Sequence, residues 1–380
     1  MTTRPTGIGV IGAGFISGIY LTNLTTRWEH VRVVGIADLV PERAQARAAE
    51  FGIAALTIAE LLAHPGIDIV LNLTIPAAHA DVCEQVIAAG KSVYTEKPLA
   101  LSRDQGRHVL DAAHERGLQV GCAPDTFLGA GLQTVRRLLD EGIVGEPVAF
   151  RARMTTHGHE SWHPDPAFYY QPGAGPMLDM GPYYITAIVA LLGPVRRVSA
   201  MARATWPQRT ITSQPKYGEL IEVNTPSHIE ANLELESGVP GTLMTSFDLW
   251  DTEHCSFVIY GSEGSIRLPD PNTFGGPIRV LKAGESTWAD VPLDHGYATN
   301  SRGIGIADMA KSMQVGEPIR ASGALGLHAL DVMLATLDSA EQGRHIAIAS
   351  TVERPASLGP VSPEDVAPTH TMTYRGETLG

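Results

Sequence analysis

Apolar residues along the first 125 positions follow two alternating rhythms. Continuous β-branched runs, GIGVIG at 7–12, VRVVGIA at 31–37, DIVLNLT at 68–74, KSVYT at 91–95 and LQVGC at 118–122, predict strands buried on both faces. The stretches between them have helical spacing and predict helices over about 16–26, 41–51, 58–63, 77–89 and 102–116. Pro41 stands where a first-turn proline is tolerated, and Ser102 followed by Gln105 is a capping-box signal. Strand and helix in alternation predict a parallel, doubly wound α/β domain over residues 1–125.

Beyond about residue 146 the rhythm changes to strands joined by tight turns. VAFRARM, RRVSAMARATW, IEANLELESG, GTLMTSFDLW, SFVIYGSEGSIRL and IRVLKAGESTWADV are the strand candidates, with GVPG, GSEG and KAGES as hairpin turns. Helices are expected at about 178–192, 303–315 and 325–342, the last stopped by Gly343. Residues 126–350 therefore predict an α+β domain on a large, mainly antiparallel open sheet. Residues 351–380, with Pro355, Pro360, Pro363 and Pro368 and no periodicity, read as a tail or arm.

Composition supports two folded domains: 380 residues, 44% hydrophobic and 18% charged, are far from the signature of disorder. Lys plus Arg number 28 against 41 for Asp plus Glu, and the resulting charge of -13 argues against a nucleic-acid or anionic-membrane partner. The longest apolar run, ITAIVALLG, is about half of the ~20 residues a bilayer span needs. MTTRPTG leads directly into a core strand without a signal-peptide pattern, so a cytoplasmic location is expected. Cys83, Cys122 and Cys255 lie far apart, which suggests neither a disulfide framework nor a thiolate metal site.

Candidate chemistry begins at GAGFIS, Gly12 to Ser17, between the first strand and the first helix. Gly12 allows a tight turn, Gly14 lets a pyrophosphate approach the backbone, and Phe15 and Ile16 open the helix whose N-terminus attracts an anion. Ser17 replaces the third glycine of the usual pattern, with Gly18 beside it. Asp38 ends the second strand, where a carboxylate binds the adenosine ribose hydroxyls and repels the extra phosphate of NADP; alternatively it caps the helix after Pro41. Arg43 is read as a solvated helix residue. Thr74 and Pro76 in TIPAAH would wall the cofactor, with His79 either beside it or capping the next helix. In TEKPLA, Glu96 and Lys97 follow the 91–95 strand; Lys97 either serves a substrate hydroxyl, with Pro98 fixing the backbone, or forms a surface pair with Glu96.

In the second domain Asp179 and Tyr183 are four residues apart and share a helix face, provided Pro182 falls within the first turn. A helix starting near Leu178 would satisfy that. Asp125 in CAPDTFLG either faces a substrate hydroxyl or caps a helix beginning near Leu128. THGHESWHPDPAFYY offers Trp162 and His163 as pocket-lining residues; His157, His159 and His163 lack a Glu-x-x-His arrangement, so no metal is expected.

Taken together, GAGFIS, Asp38, the TP-type wall, EKP and DMGPYY resemble the glucose-fructose oxidoreductase, myo-inositol dehydrogenase and rhizopine catabolism (Gfo/Idh/MocA) family over residues 7 to about 345. The resemblance implies a Rossmann NAD-binding domain, 1–125, and a substrate-binding and oligomerisation domain, 126–350, which buries a homodimer or homotetramer interface. It gives Lys97 and Asp179 the positions of the family's catalytic lysine and aspartate, and Tyr183 a place where other members have histidine or tyrosine. The activity implied is hydride transfer between a secondary alcohol of a sugar, glycoside or cyclitol and NAD. A phenol is a weak base at neutral pH, so the Lys97 ammonium is expected to stabilise the Tyr183 phenolate while Asp179 orients the hydroxyl. Two alternatives carry the same fold: a glycosidase using NAD for transient oxidation and elimination, and a nucleotide-binding regulator without turnover.

Overall fold

The run TGIGVI forms β1 (Thr6–Ile11), buried throughout, as a centre strand covered on both faces must be. In the computed structural model, which describes residues 4–250 and 257–359 and the backbone of 373–374 and 377–378, five further strands pair in parallel. They are β2 (Val31–Ala37), β3 (Ala54–Ala55), β4 (Ile69–Asn72), β5 (Ser92–Thr95) and β6 (Val120–Cys122), in the order β3-β2-β1-β4-β5-β6. The order reverses between β1 and β4, so a ligand crevice is expected at their carboxyl ends. Helices α1 (Ser17–Thr26), α2 (Pro41–Phe51), α3 (Ile58–Ala63), α4 (His79–Ala88) and α5 (Arg103–Glu115) follow the strands as expected. Ser102 accepts the Gln105 N–H, yet the reciprocal capping box forms at Thr57 and Glu60 instead, on α3. The two-residue β3 has no strand signal in the sequence.

The second sheet contains β7 (Pro147–Thr155), β8 (Val195–Arg203), β11 (His228–Leu235), β12 (Pro240–Ser246), β13 (Phe257–Gly261), β14 (Gly264–Leu268), β15 (Ile278–Lys282), β16 (Ala289–Val291) and β17 (Ile346–Ala347). Its order is β16-β15-β14-β13-β7-β12-β11-β8-β17, antiparallel at every step except β7 with β12. Alternate residues Ile229, Ala231, Leu233 and Leu235 of β11 are buried, so one face carries the core. A separate hairpin, β9 (Gln208–Thr210) with β10 (Leu220–Glu222), escapes prediction because three-residue strands show no periodicity. The remaining helices are α6 (Ala130–Asp140), α7 (Gly175–Leu192), α8 (Ile304–Val315) and α9 (Gly323–Gln342), and the short strands β18 (Thr373–Tyr374) and β19 (Glu377–Thr378) pair beyond them. Cys255 and most of the 351–380 tail lie outside the described residues. No described helix is long and apolar enough to cross a membrane.

The expected start of α7 near Leu178 is corrected: the helix opens at Gly175. Pro176, not Pro182, takes the first-turn position, and Pro182 lies inside the helix, where it offers no N–H to the Leu178 carbonyl. Gly175 has φ +84°, and a Cβ there would come within 2.9 Å of the Pro226 carbonyl oxygen.

Two compact units emerge, and neither is continuous in sequence. Among the described residues, 4–130, 294–330 and 355–359 belong to the first; 131–250, 257–293 and 331–354 belong to the second. The expected boundaries at 125 and 350 differ because the chain returns to β6: Cys122 N–H donates to the Ala321 carbonyl at 3.0 Å, and Gly121 bridges Ser322. That return covers an otherwise open sheet edge. Cys83 and Cys122 are both buried, and burial raises their thiol pKa values, that of Cys83 to about 11.

Asp125 belongs to the same return, which corrects its expected substrate role. Its carboxylate is 1% exposed and accepts the N–H groups of Gly303 at 2.8 Å and Gly305 at 3.1 Å. It therefore caps α8, whose own N-cap residue, Gly303, has no side chain to do so, rather than a helix near Leu128. Burial raises its pKa to about 6 against the opposing pull of these two N–H groups. The native state then holds the proton between the unfolded value near ~4 and about 6, so this group's contribution to stability falls as pH rises through that window. We expect Asp125→Asn, which keeps an acceptor, to gain stability relative to the parent by about 2 to 3 kcal/mol between pH 4 and pH 7. Denaturant melts of both proteins at each pH would check this, and a pH-independent difference would refute it.

Candidate active site

At the carboxyl end of β1 the two glycines have different tasks. Gly12 has φ +106°, and a Cβ would lie 2.6 Å from the Leu73 carbonyl oxygen, so the turn itself demands glycine. A Cβ on Gly14 would meet nothing within 4 Å. Gly14 thus leaves open space at the start of α1, a helix with no side-chain cap and no acid in its first turn. That combination fits a diphosphate, which would bring negative charge to the uncapped helix end. Ser17 is fully buried, and its hydroxyl donates to the Gly14 carbonyl at 2.7 Å, so the small residue replacing the third glycine locks the turn. Phe15 is 68% exposed and Ile16 half-buried.

Asp38 holds this loop from β2. One carboxylate oxygen accepts the Ala13 N–H at 2.7 Å and the other the Val40 N–H at 2.8 Å. The carboxylate thus braces the glycine loop and holds the turn that leads into α2. Leu39 and Ile75 are 87% and 69% exposed beyond β2 and β4. Their position just after parallel strands is the sequence signal that marks these apolar side chains. Arg43 is exposed on α2.

The Thr74–Pro76 segment and the Lys97 turn are joined through His79. Its ring is 1% exposed, with Nδ1 2.7 Å from the Pro98 carbonyl and Nε2 3.1 Å from the Thr74 carbonyl. The histidine is a brace between two loops, neither an exposed ligand contact nor a helix cap. The Thr74 hydroxyl donates to Asn72, and Pro76 is exposed. Glu96 is likewise directed inward: one carboxylate oxygen accepts the Tyr20 hydroxyl at 2.7 Å and the other the Lys97 N–H at 2.9 Å. This fixes the backbone of half-buried Lys97.

In the second unit, α7 is buried from Gly175 to Leu191 except at Leu178, Asp179, Met180 and Tyr183. A carboxylate and a phenol one turn apart therefore share the open part of a buried helix. His159 comes to this turn from the preceding loop, with Nε2 3.8 Å from Asp179 Oδ2. It stacks on Tyr169, centroids 3.8 Å apart, and meets Phe247 edge-on. Burial lowers its pKa to about 4, so it stands neutral beside the carboxylate. His159 thus has a packing role that its sequence neighbourhood signals only through the aromatic run at 168–170. His163 packs against Trp162, Phe168 and Tyr169, and its Nδ1 accepts the Asp165 N–H. Trp162 is 62% exposed.

One buried arginine ties this loop down. Arg209, on β9, donates to Glu160 and Asp248, both at 2.6 Å, and to the carbonyls of His157 and Phe247. A Cβ on Gly158 would come within 2.5 Å of this guanidinium and closer still to Glu160, so only glycine lets the chain pass over it.

The sequence of the first unit matches the family described as oxidoreductase family, NAD-binding Rossmann fold, over residues 6–123, and that of the second matches the GFO/IDH/MocA C-terminal domain over 132–267. Inositol 2-dehydrogenase of Rhizobium meliloti (strain 1021) is 25% identical over 92% of this chain and 100% of its own. Inositol 2-dehydrogenase/D-chiro-inositol 3-dehydrogenase of Lactiplantibacillus plantarum is 30% identical over 39% of this chain, a match spanning 43% of that relative. Among solved structures, an NAD binding oxidoreductase from Klebsiella pneumoniae aligns with TM-score 0.79 and 21% identity over 91% of this chain and 100% of its own. Levoglucosan dehydrogenase, solved in complex with NADH and L-sorbose, aligns with TM-score 0.78 and 20% identity over 92% and 100%. With both domains matched in order on the expected folds, the chain belongs to the GFO/IDH/MocA family of oxidoreductases and carries its NAD-binding Rossmann domain.

Proposed function

We propose that this protein is an NAD-dependent dehydrogenase acting on a secondary alcohol of an uncharged sugar, glycoside or cyclitol. The observation that carries the reading is the open turn of α7, where Asp179 and Tyr183 stand together on an otherwise buried helix. The relatives named for inositol and levoglucosan dehydrogenases support the substrate class. NAD would be held by the Gly12–Ser17 turn and Asp38, and when bound it supplies the hydride acceptor.

The chain's own groups divide the remaining work. Tyr183 Oη takes the proton of the hydroxyl being oxidised, and Lys97 Nζ supplies the positive charge that favours its loss. Asp179 accepts hydrogen bonds from substrate hydroxyls. Neutral His159 beside it leaves that carboxylate its acceptor character while limiting its movement. Asp125, committed to the α8 cap, takes no part, so recognition of an uncharged polyol rests on Asp179 with Trp162 and His163 nearby.

Three tests follow from these assignments. Gly14→Val places methyl groups in open space, so the melting temperature should stay near the parent's while NAD affinity, read by calorimetry, falls about a hundredfold; unchanged affinity would refute the cradle. The Asp38 carboxylate should make NAD the preferred cofactor, and Asp38→Ser should narrow the ratio of kcat/KM for NAD over NADP; a parent that prefers NADP would remove Asp38 from this role. In Lys97→Ala and Tyr183→Phe, turnover on the best substrate of a polyol and glycoside panel, followed as NADH, should fall by about 10^2 or more with NAD binding retained. Full activity in either variant would place the proton path elsewhere.

A further inference from the structure

We propose that the second unit holds a second sugar subsite, a cleft of about 690 Å³ walled by His157, Trp162, Trp206 and Trp250, which takes an uncharged pyranose ring joined to the ring presented to Asp179. The inference rests on the reading of Asp179 as a substrate residue and deepens it: the substrate is a disaccharide or longer glycoside rather than a free monosaccharide.

The walls are aromatic and open to solvent. Trp162, Trp206 and Trp250 are 62%, 39% and 78% exposed, and three indoles around one cleft form an apolar surface that a soluble chain seldom leaves without a binding purpose. Flat indole faces suit the C–H faces of a pyranose, and the amphipathic ring keeps a polar edge for water. The walls are also fixed. His157 stacks on Trp250 with centroids 3.3 Å apart and meets Trp206 edge-on at 5.7 Å, and the Arg209 guanidinium lies 5.0 Å from the Trp206 ring. Little side-chain freedom remains to be lost on binding. Ser161, Gln208, Thr210 and Thr212 add hydrogen-bonding groups suited to sugar hydroxyls.

Charge narrows the occupant further. Arg209 is the only cationic side chain among the described lining residues, and Glu160 and Asp248 both hold it. Burial pushes the His157 pKa down, so it adds no charge. Among the described lining residues nothing is then left to neutralise a phosphate or a carboxylate, which selects against nucleotide sugars and sugar acids. Trp162 also connects the cleft to the α7 turn. Its ring lies 5.3 Å from that of His159, which is 3.8 Å from Asp179, so one aromatic ring separates the subsite from the carboxylate.

The experiment uses the NAD-loaded full chain and a fixed panel: cellobiose, gentiobiose, lactose and trehalose against glucose, galactose and myo-inositol, with 4-nitrophenyl β-glucoside added. NADH formation gives kcat/KM, and saturation-transfer NMR reports binding whether or not turnover occurs. The expected result is at least one disaccharide exceeding its monosaccharide by about tenfold in kcat/KM, with that ratio falling to about one in Trp250→Ala and, separately, in Trp206→Leu. A ratio discounts general damage, which lowers both substrates together. Should no sugar reduce NAD, disaccharide saturation transfer seen in the parent and lost in Trp250→Ala would support the subsite while the dehydrogenase reading fails. Three results would overturn the subsite: equal ratios in parent and variants, preference for the nitrophenyl glycoside over every disaccharide, or variants that change only the oligomeric state in light scattering.

Discussion

At the carboxyl edge of the parallel sheet the chain turns repeatedly in little space, and each backbone N–H directed inward needs an acceptor. Carboxylates meet that need at three points. Asp38 accepts from Ala13 and Val40, Glu96 from Lys97, and Asp125 from Gly303 and Gly305. Each acid belongs to one β-to-α connection and so sets the course of the loop that follows. The ligand-facing edge is thereby built before any ligand arrives.

The second unit solves the same problem with a cation. The Arg209 guanidinium has donors enough to serve two carbonyls and two carboxylates at once, and through them it ties the β9–β10 hairpin, the end of β12 and the loop before α7 to a single point. Tyr169 and Phe247 then seat His159 against the Asp179 turn. A loop rich in histidine and tryptophan, whose sequence offers pocket-lining residues but no metal arrangement, is a wall pinned from beneath by Arg209.

Features set by neighbours in the chain were legible in the sequence. The β-branched runs, the glycine turn before α1, Asp38 at the end of β2 and the shared face of Asp179 and Tyr183 all depend on spacings of a few residues. What escaped depends on partners far away. Asp125 meets its cap partners some 178 residues later, Arg209 reaches Glu160 from a hairpin too short to show periodicity, and His159 finds Asp179 through packing alone. The error at Pro182 has another origin. Two prolines stood near one helix start, and the rule tolerating proline in a first turn was satisfied by Pro176, leaving Pro182 to a helix interior that its surroundings accommodate.

The return of residues 294–330 to the first unit has a consequence for the growing chain. At translation speeds of about 5 to 20 residues per second, β6 is made well before Ala321 and Ser322 can cover its edge, and Asp125 waits through 178 residues for Gly303. During that interval the nascent sheet presents an unpaired edge and a carboxylate without the N–H groups it will accept, while the second sheet as far as β16 emerges. The vulnerability of this protein to misassembly is therefore concentrated in the time between synthesis of residue 122 and residue 322, before the amino-terminal unit can close.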